Sequence, residues 1–396
     1  MRYDVLIAGG GIGGGVLAQL LARGGRRVAV IERSLGPPKW LRPEILWPVT
    51  TKTLCSLAPR ATWERAAFLP LRGISVHDGE HFLPIATVET FVSAGVQPCF
   101  TNPNETREQL LRLGGFELRR GVEVVQVLKD AGRIVGLRTR DLATKREDEW
   151  LADWTVGDDG TRSLIREAAG IAMSTRMFPV EFLCAALDSW PASLPQATVH
   201  LWPNWSRGDS GILALGAGSL PGGIGVAMVL IKGAALDANP RIADSWLEFC
   251  RTDERLREVV AGREFPGGFF RVARPWGHVQ RYSAPGALLM GDAAHSVSPA
   301  GGQGANMSIA DAVALAELML GGSPDLPADY ERRRRPANER SMTPTRVARH
   351  VLDGLRWLVP TAAAKGMVRW LARHPAMLGR ALKDMSTRFV EDAHEA

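Results

Sequence analysis

An α/β fold is predicted: a Rossmann-type nucleotide unit interleaved with a smaller antiparallel sheet and followed by helices. Three features predict it. A strand-like run at the N-terminus breaks into GGGIGG, then resumes as an apolar helix and a second strand. Residues 179–275 change character, to short alternating runs, glycine turns and the tryptophans Trp190, Trp202 and Trp205. From Asn338 onward the pattern is mostly helical.

Each element follows from its residues. Tyr3–Ala8 is an apolar strand, Val16–Ala22 an apolar helix, and RRVAVIER a second buried strand ending in Glu32. This order, with an acid about 20 residues after the glycines, is the one a βαβ nucleotide unit requires. Prolines 37, 38, 43 and 48 interrupt the next stretch, and residues 70–100 mix short β-like runs with turns. A helix is predicted over Glu105–Leu113, with strands over Val122–Leu128 and Ile134–Thr139. A further strand precedes Gly157, and a helix follows Ser163. Residues 1–70, 101–178 and 276–335 are therefore assigned to the nucleotide domain. Residues 71–100 and 179–275 form the sheet domain, and 336–396 the C-terminal helical segment.

Composition narrows the function. With 396 residues, 45% of them hydrophobic, the chain can bury a large core in two interlocked domains. No apolar run approaches the roughly 18 residues of a membrane span. The apolar N-terminus holds an acid and breaks into glycines, so it reads as a strand and not a signal peptide. Cys55, Cys99, Cys184 and Cys250 are dispersed, which argues against a disulfide framework or a structural zinc and suits a reducing cytoplasm. His77, His81, His200 and His278 show no metal spacing. Residues 331–396 carry 14 Lys/Arg against 7 Asp/Glu, so the net charge of +6 belongs to the tail. The run Arg332–Arg335 reads as a solvated helix surface. A nucleic-acid face would interleave its basic residues with aromatic ones.

In GGGIGG, Gly9 permits a tight turn, Gly11 lets a pyrophosphate approach the backbone, and Gly14 packs helix on strand. The helix N-terminus then offers its N–H groups to the phosphates, and Glu32 accepts hydrogen bonds from a ribose. This motif alone does not separate FAD from NAD.

Two further stretches do. Gly157, Asp159, Gly160, Ser163 and Arg166 form GxDGxxSxxR, and GDAAHSVSPAGGQGAN sets a strand-end Gly-Asp before PxxGxGxN. With the first motif, this set resembles the group A FAD-dependent monooxygenases, the para-hydroxybenzoate hydroxylase family, up to about residue 335. The resemblance implies FAD, with Asp292 on its ribityl and phosphate end and Asp159 near the cofactor path. It implies that Pro299, Gly301, Gly302 and Gly304 line the flavin ring, because a flat ring against a backbone tolerates no Cβ. The N–H groups of Ala305 and Asn306 would lie near the pyrimidine edge, and the helix beginning there would stabilise the reduced anion. Among the arginines, Arg33 is grouped with Glu32, Arg42 is placed on the flavin or substrate side, and Arg107 near the pyrophosphate. His295 is expected to be a structural neighbour of Asp292. One departure stands out: Asp158 occupies the position where the family has a small residue. It would point to solvent, pair with Arg162, or face the cleft and repel a nicotinamide cofactor's phosphates.

The resemblance implies oxygen insertion into an aromatic or polycyclic molecule through a flavin C4a-hydroperoxide, with NADPH or NADH as co-substrate and O2 consumed. Trp202 and Trp205 would wall the substrate pocket or pack the sheet. The alternatives are an oxygenase, such as an N-hydroxylase, fed by a partner flavin reductase, or a halogenase or reductase on the same scaffold. The halogenase WxWxIP and reductase YxWxFP patterns are absent. A non-catalytic binding protein of GDP-dissociation-inhibitor type would not need the bare backbone of the third motif. In the tail, Val347, Val351, Leu355 and Leu358 share one helical face, and Met367, Leu371, Leu378, Leu382 and Met385 suggest further amphipathic helix. Packing against the two domains is favoured over contact with a membrane surface.

Overall fold

The computed structural model describes residues 2–37, 44–65, 68–177, 180–187, 194–203, 210–216, 226–232, 268–272, 275–297, 302–358 and 361–391, with Cys250 and Arg257. Strand β1 (Arg2–Ala8), apolar and buried from Val5 on, lies within an eight-stranded sheet. Helix α1 (Ile12–Arg23) crosses over to β2 (Val28–Glu32), and β2 runs parallel to β1. The strand Glu147–Gly157 flanks β1 on the other side, also parallel, and itself pairs in parallel with Ala287–Leu289. The register pairs Ala8 with both Ile31 and Gly157, and Gly157 with Leu289. Gly9, Glu32, Asp158 and Met290 therefore emerge at one edge, the carboxyl ends of parallel strands, where open α/β sheets bind ligands.

A seven-stranded sheet holds the strands Gly73–His77 and Phe82–Thr87 together with five strands from residues 180–272. Among the described residues, the expected antiparallel sheet is antiparallel throughout except that Thr198–Trp202 runs parallel to Gly73–His77. Those two strands come from segments separated by much of the nucleotide domain, so no tight hairpin joins them. The helix Val88–Ala94, not foreseen in the sequence, starts at a capping box between Thr87 and Thr90 and ends at Gly95 with φ 67°. Strand β3 (Glu44–Leu46) and helix α2 (Pro48–Leu57) follow the proline-rich stretch, with Pro48 in the helix's first turn, where its missing N–H costs nothing.

The helix Gly304–Leu320 crosses α1 closely. An ideal Cβ on Gly13 would lie 2.0 Å from Ser308 Oγ and 3.0 Å from Ser308 O, so glycine there lets the two helices approach. The helix Leu326–Leu358 contains Pro336 and Pro344 and runs straight through the expected boundary at 335/336. Two shorter helices end the chain, Thr361–Arg373 and Pro375–Thr387. The last packs Gly379 against Thr90 and Ala94 and buries Leu382. Arg369 Nε donates to Asp78 Oδ2 at 2.6 Å, tying the preceding helix to the turn between Gly73–His77 and Phe82–Thr87. The side chains of Val347, Val351, Leu355 and Leu358 lie outside the described residues. No helix among the described residues is long and apolar enough to cross a membrane.

Candidate functional site

Four separate stretches of chain meet at the carboxyl edge of the sheet. The first is the glycine turn. Gly9 has φ 99°, and a Cβ on it would lie 2.3 Å from Asp158 O; one on Gly14 would lie 2.5 Å from Gly9 O. Gly14 thus lets the helix pack against the turn.

Glu32, at the end of β2, is buried and accepts from Gly10 N at 2.8 Å and Ser34 N at 2.6 Å. Arg107 lies 2.9 Å from its Oε2 and also donates to Gly10 O. Burial opposes ionisation of Glu32, but Arg107 and the N–H groups of Ser34 and Gly10 outweigh it and hold the carboxyl below its usual range. Arg107 sits on the helix Pro103–Arg112, whose first turn is capped by Asn102. The helix begins at Pro103, two residues ahead of the predicted start.

Asp158 neither pairs with Arg162 among the described residues nor points away. Its Oδ2 accepts from Gly14 N at 2.8 Å, and Cβ atoms on Gly11 and Gly291 would lie 2.7 Å from its two oxygens. The bareness of Gly11 therefore has a reason inside the protein. Asp159 accepts from Ile165 N at 3.3 Å in the first turn of the helix Leu164–Ala168, whose N-cap is Ser163. Arg166 donates to Thr161 O at 2.8 Å and Ala293 O at 3.0 Å, which bolts this loop to the Gly-Asp turn at 291–293.

The Gly-Asp turn is held by a buried network that sequence reasoning missed. Asp311, fully buried, accepts from Gly291 N at 3.1 Å, His295 Nε2 at 2.5 Å, Arg334 Nε at 2.8 Å and Asn338 Nδ2 at 3.0 Å. His295 is thus partnered by Asp311. Asn338 reaches on to Tyr282 OH, which lies 2.6 Å from His278 Nε2. The reading of Arg332–Arg335 as a solvated surface is corrected here. Arg332 is exposed, but the Arg334 side chain is 1% exposed, because it sits on the inward face of its helix four residues before Asn338.

The 302–306 turn is held from within. Asn306 spends its side chain inside the protein: Oδ1 accepts from Trp47 N at 3.0 Å and Thr50 Oγ1 at 2.7 Å, and Nδ2 donates to Ile45 O and Gly302 O at 2.8 Å. Only its backbone remains for a ligand. Gln303 supplies no side-chain cap to the helix Gly304–Leu320, and the first N–H groups of an α-helix have no partner within it. Gly302, with φ 62°, is glycine for its own backbone's sake. Gly304 lacks that reason: it is not in the left-handed region, and among the described residues a Cβ there would touch only Val297 Cγ2 at 3.6 Å. The Trp47 indole N–H beside this turn is buried without a hydrogen-bond partner among the described residues. Gly304→Val should therefore leave the thermal midpoint of the apo chain nearly unchanged while weakening flavin binding by about 1–3 kcal/mol, the usual cost of overpacking. Flavin titration against thermal unfolding checks it, and a Gly304→Val chain with wild-type flavin affinity would refute close approach at this turn.

Other expected site residues fall elsewhere. Arg33 is 77% exposed and 3.8 Å from Glu123. Asp292 stands partly exposed in the short turn Gly291–Ala293, and Ala305 is buried at the helix start. Arg42, Pro299, Gly301 and Trp205 lie outside the described residues. Trp202 packs on Phe82 at 4.2 Å and His77 at 5.5 Å. Strand alternation places it opposite Val199, which packs on the cluster holding Trp47, Val297 and Met307. Trp202 is thus a packing residue on the face away from the 302–306 turn.

A family model described as "FAD binding domain" matches residues 2–345. The chain is 29% identical over 324 residues to rifampicin monooxygenase of Streptomyces venezuelae, covering 79% of this chain but only 63% of that protein. It is 28% identical over 369 residues to 6-methylpretetramide 4-monooxygenase of Streptomyces rimosus, covering 85% and 81%. In fold, it is similar to p-nitrophenol 4-monooxygenase PnpA of Pseudomonas putida DLL-E4, with a TM-score of 0.78 at 18% identity over 99% of both chains. The myxobacterial halogenase CndH is also similar, with a TM-score of 0.75 at 19% identity over 98% of this chain and 97% of that one.

Proposed function

Because the chain belongs to the FAD binding domain family, we propose that it is an FAD-dependent monooxygenase placing one oxygen atom of O2 on an aromatic or polycyclic small molecule, with NADPH or NADH as electron donor. The observation that carries this reading is Gly304, a glycine for which neither the backbone angle nor any neighbour among the described residues gives a reason. A flat ring lying on that turn does. Glu32 would accept from the ribose, the first turn of α1 would face the pyrophosphate, and Asp292 would hold the ribityl end. The helix Gly304–Leu320 would direct its unpartnered N–H groups and positive end at the ring. Bound FAD supplies the redox and oxygen chemistry, and the chain supplies position, electrostatics and exclusion of water.

The residues contribute rigidity above all. Arg166, Asp311 and Asn306 each lash one cofactor-facing turn to a neighbouring element, so the turns keep their spacing when a ligand enters. The names of the relatives, rifampicin and 6-methylpretetramide monooxygenases, support a large polycyclic substrate. The halogenase alternative is disfavoured because WxWxIP is absent.

A second reading rests on Asp158. An acid beside the phosphate path would disfavour a docking nicotinamide dinucleotide, and electrons would then come from reduced flavin made by a partner reductase. Anaerobic mixing with NADPH and NADH, with and without phenols and anilines, separates the two. Fast bleaching of the flavin, stimulated by an aromatic compound, is the expected result. A flavin that stays oxidised under every condition, with product appearing once a reductase is added, would overturn direct reduction.

A further inference from the structure

Asp158 is a carboxyl group in a place that a dianion must share. Its Oδ2 takes the N–H of Gly14 in the first turn of α1, the turn that faces the pyrophosphate in the reading above. Three glycines from the two cofactor turns, Gly11, Gly14 and Gly291, close around it, each with an ideal Cβ position 2.7 to 2.9 Å from a carboxyl oxygen. No Lys or Arg pairs with it among the described residues.

The groups that face it from each packed element are anionic or neutral. Asp159 is its neighbour in the chain, Asp292 comes from the Gly-Asp turn, and Asp311 from the helix Gly304–Leu320. Tyr330 faces it from the helix Leu326–Leu358. The first two turns of α1 offer only Ile, Gly, Val, Leu, Ala and Gln19. The cations nearby are already committed: Arg334 to Asp311, Arg107 to Glu32, and Arg166 to the carbonyls of Thr161 and Ala293. Burial first, then the carboxylates of Asp292, Asp159 and Asp311, push the Asp158 acid well above its usual range, against the opposing Gly14 N–H.

We propose that Asp158 is a proton-linked positioning residue: it takes up a proton when FAD is seated and bridges the glycine turn and the Gly-Asp turn as a neutral acid. The inference rests on reading this edge as the FAD site. A carboxylate and a pyrophosphate cannot both occupy the N-terminus of α1 as anions without strong repulsion. Protonation removes that repulsion, keeps Oδ2 as an acceptor for Gly14 N, and adds an O–H donor. The proton comes from solvent, so binding of FAD and binding of the proton must favour each other reciprocally.

The test measures FAD affinity of the apo chain from about pH 6 to 9, by flavin fluorescence, for wild type and Asp158→Asn. Affinity of the wild type should fall as pH rises, approaching about tenfold per pH unit once the apo acid is ionised. Asp158→Asn, permanently neutral and nearly the same shape, should bind at high pH as tightly as the wild type does at low pH, with a flat profile. Calorimetry of the wild type in two buffers of different ionisation enthalpy should show uptake of up to about one proton per FAD within this range. Should the Asn variant fail to fold, the wild-type proton count decides alone. Zero uptake between pH 6 and 9, or a variant whose pH profile tracks the wild type, overturns the proposal while leaving the function intact. A wild-type chain that binds no FAD at any pH overturns the function and this inference with it.

Discussion

Asp311→Ala should lower the unfolding free energy of the apo chain by about 3–5 kcal/mol, the cost of breaking a buried ion pair and stranding its partner. Asp311 is fully buried and is the common acceptor for Arg334, His295, Asn338 and Gly291 N. Among the described residues, truncation leaves the Arg334 guanidinium in the interior with only Asn338 Oδ1, Phe389 O and a 3.7 Å approach to Glu391. Chemical denaturation of the apo chain is the measurement, and a change below about 1 kcal/mol would show that the network is dispensable. Arg334→Leu introduced alongside should recover part of the loss, because the stranded charge is then gone.

The same residue sets a pH dependence. Burial alone would raise the Asp311 pKa, yet His295 and Arg334 outweigh it and hold the carboxyl well below its usual range. A depressed folded-state pKa contributes stability that is fully present above the unfolded value, about 3.9 for Asp. That contribution is lost as pH falls from there toward the folded value. The wild type should therefore lose stability on acidification, and Asp311→Ala should show a flatter acid limb.

Comparing Arg334 with Glu32 shows what the sequence could reveal. Glu32 was legible because strand, glycine turn, helix and strand are consecutive, and the acid's place follows from the length of that unit. Arg334 was not, because a run of four arginines carries no mark of which one faces inward; that depends on where the helix Leu326–Leu358 docks. Asp158 was visible as a departure, but its meaning needed residues far away in the chain, Gly14 and Gly291, brought together by the register of three parallel strands. The three glycines of the third motif looked alike in sequence. The backbone separates two of them: Gly302 answers to its own φ, whereas Gly304 has neither a left-handed φ nor a crowding neighbour among the described residues. Helix Val88–Ala94 escaped notice because its capping residues are threonines inside a run that also fits a strand.

Glu32→Ala should weaken FAD binding by about 1.5–3 kcal/mol, the worth of hydrogen bonds to a charged group, which is roughly a 10- to 150-fold rise in Kd. Two effects add. The ribose loses its acceptor, and the apo site loses the carboxylate that gathers Gly10 N, Ser34 N and Arg107 around the turn. Arg107→Ala removes the cation from the same cluster while leaving the ribose acceptor in place, so its loss should be smaller. The double variant should then fall short of the sum of the two, because each single change already breaks the Glu32–Arg107 pair. Glu32→Gln keeps the shape and one acceptor oxygen, so it should lie between wild type and Ala, with Arg107 no longer drawn in by charge. Fluorescence titration of the four variants with FAD, next to urea unfolding of the apo chains, separates binding from stability. A Glu32→Ala chain that retains wild-type flavin affinity would move the cofactor away from this edge of the sheet. Equal losses in affinity and stability would instead make Glu32 a strut of the turn with no direct part in recognition.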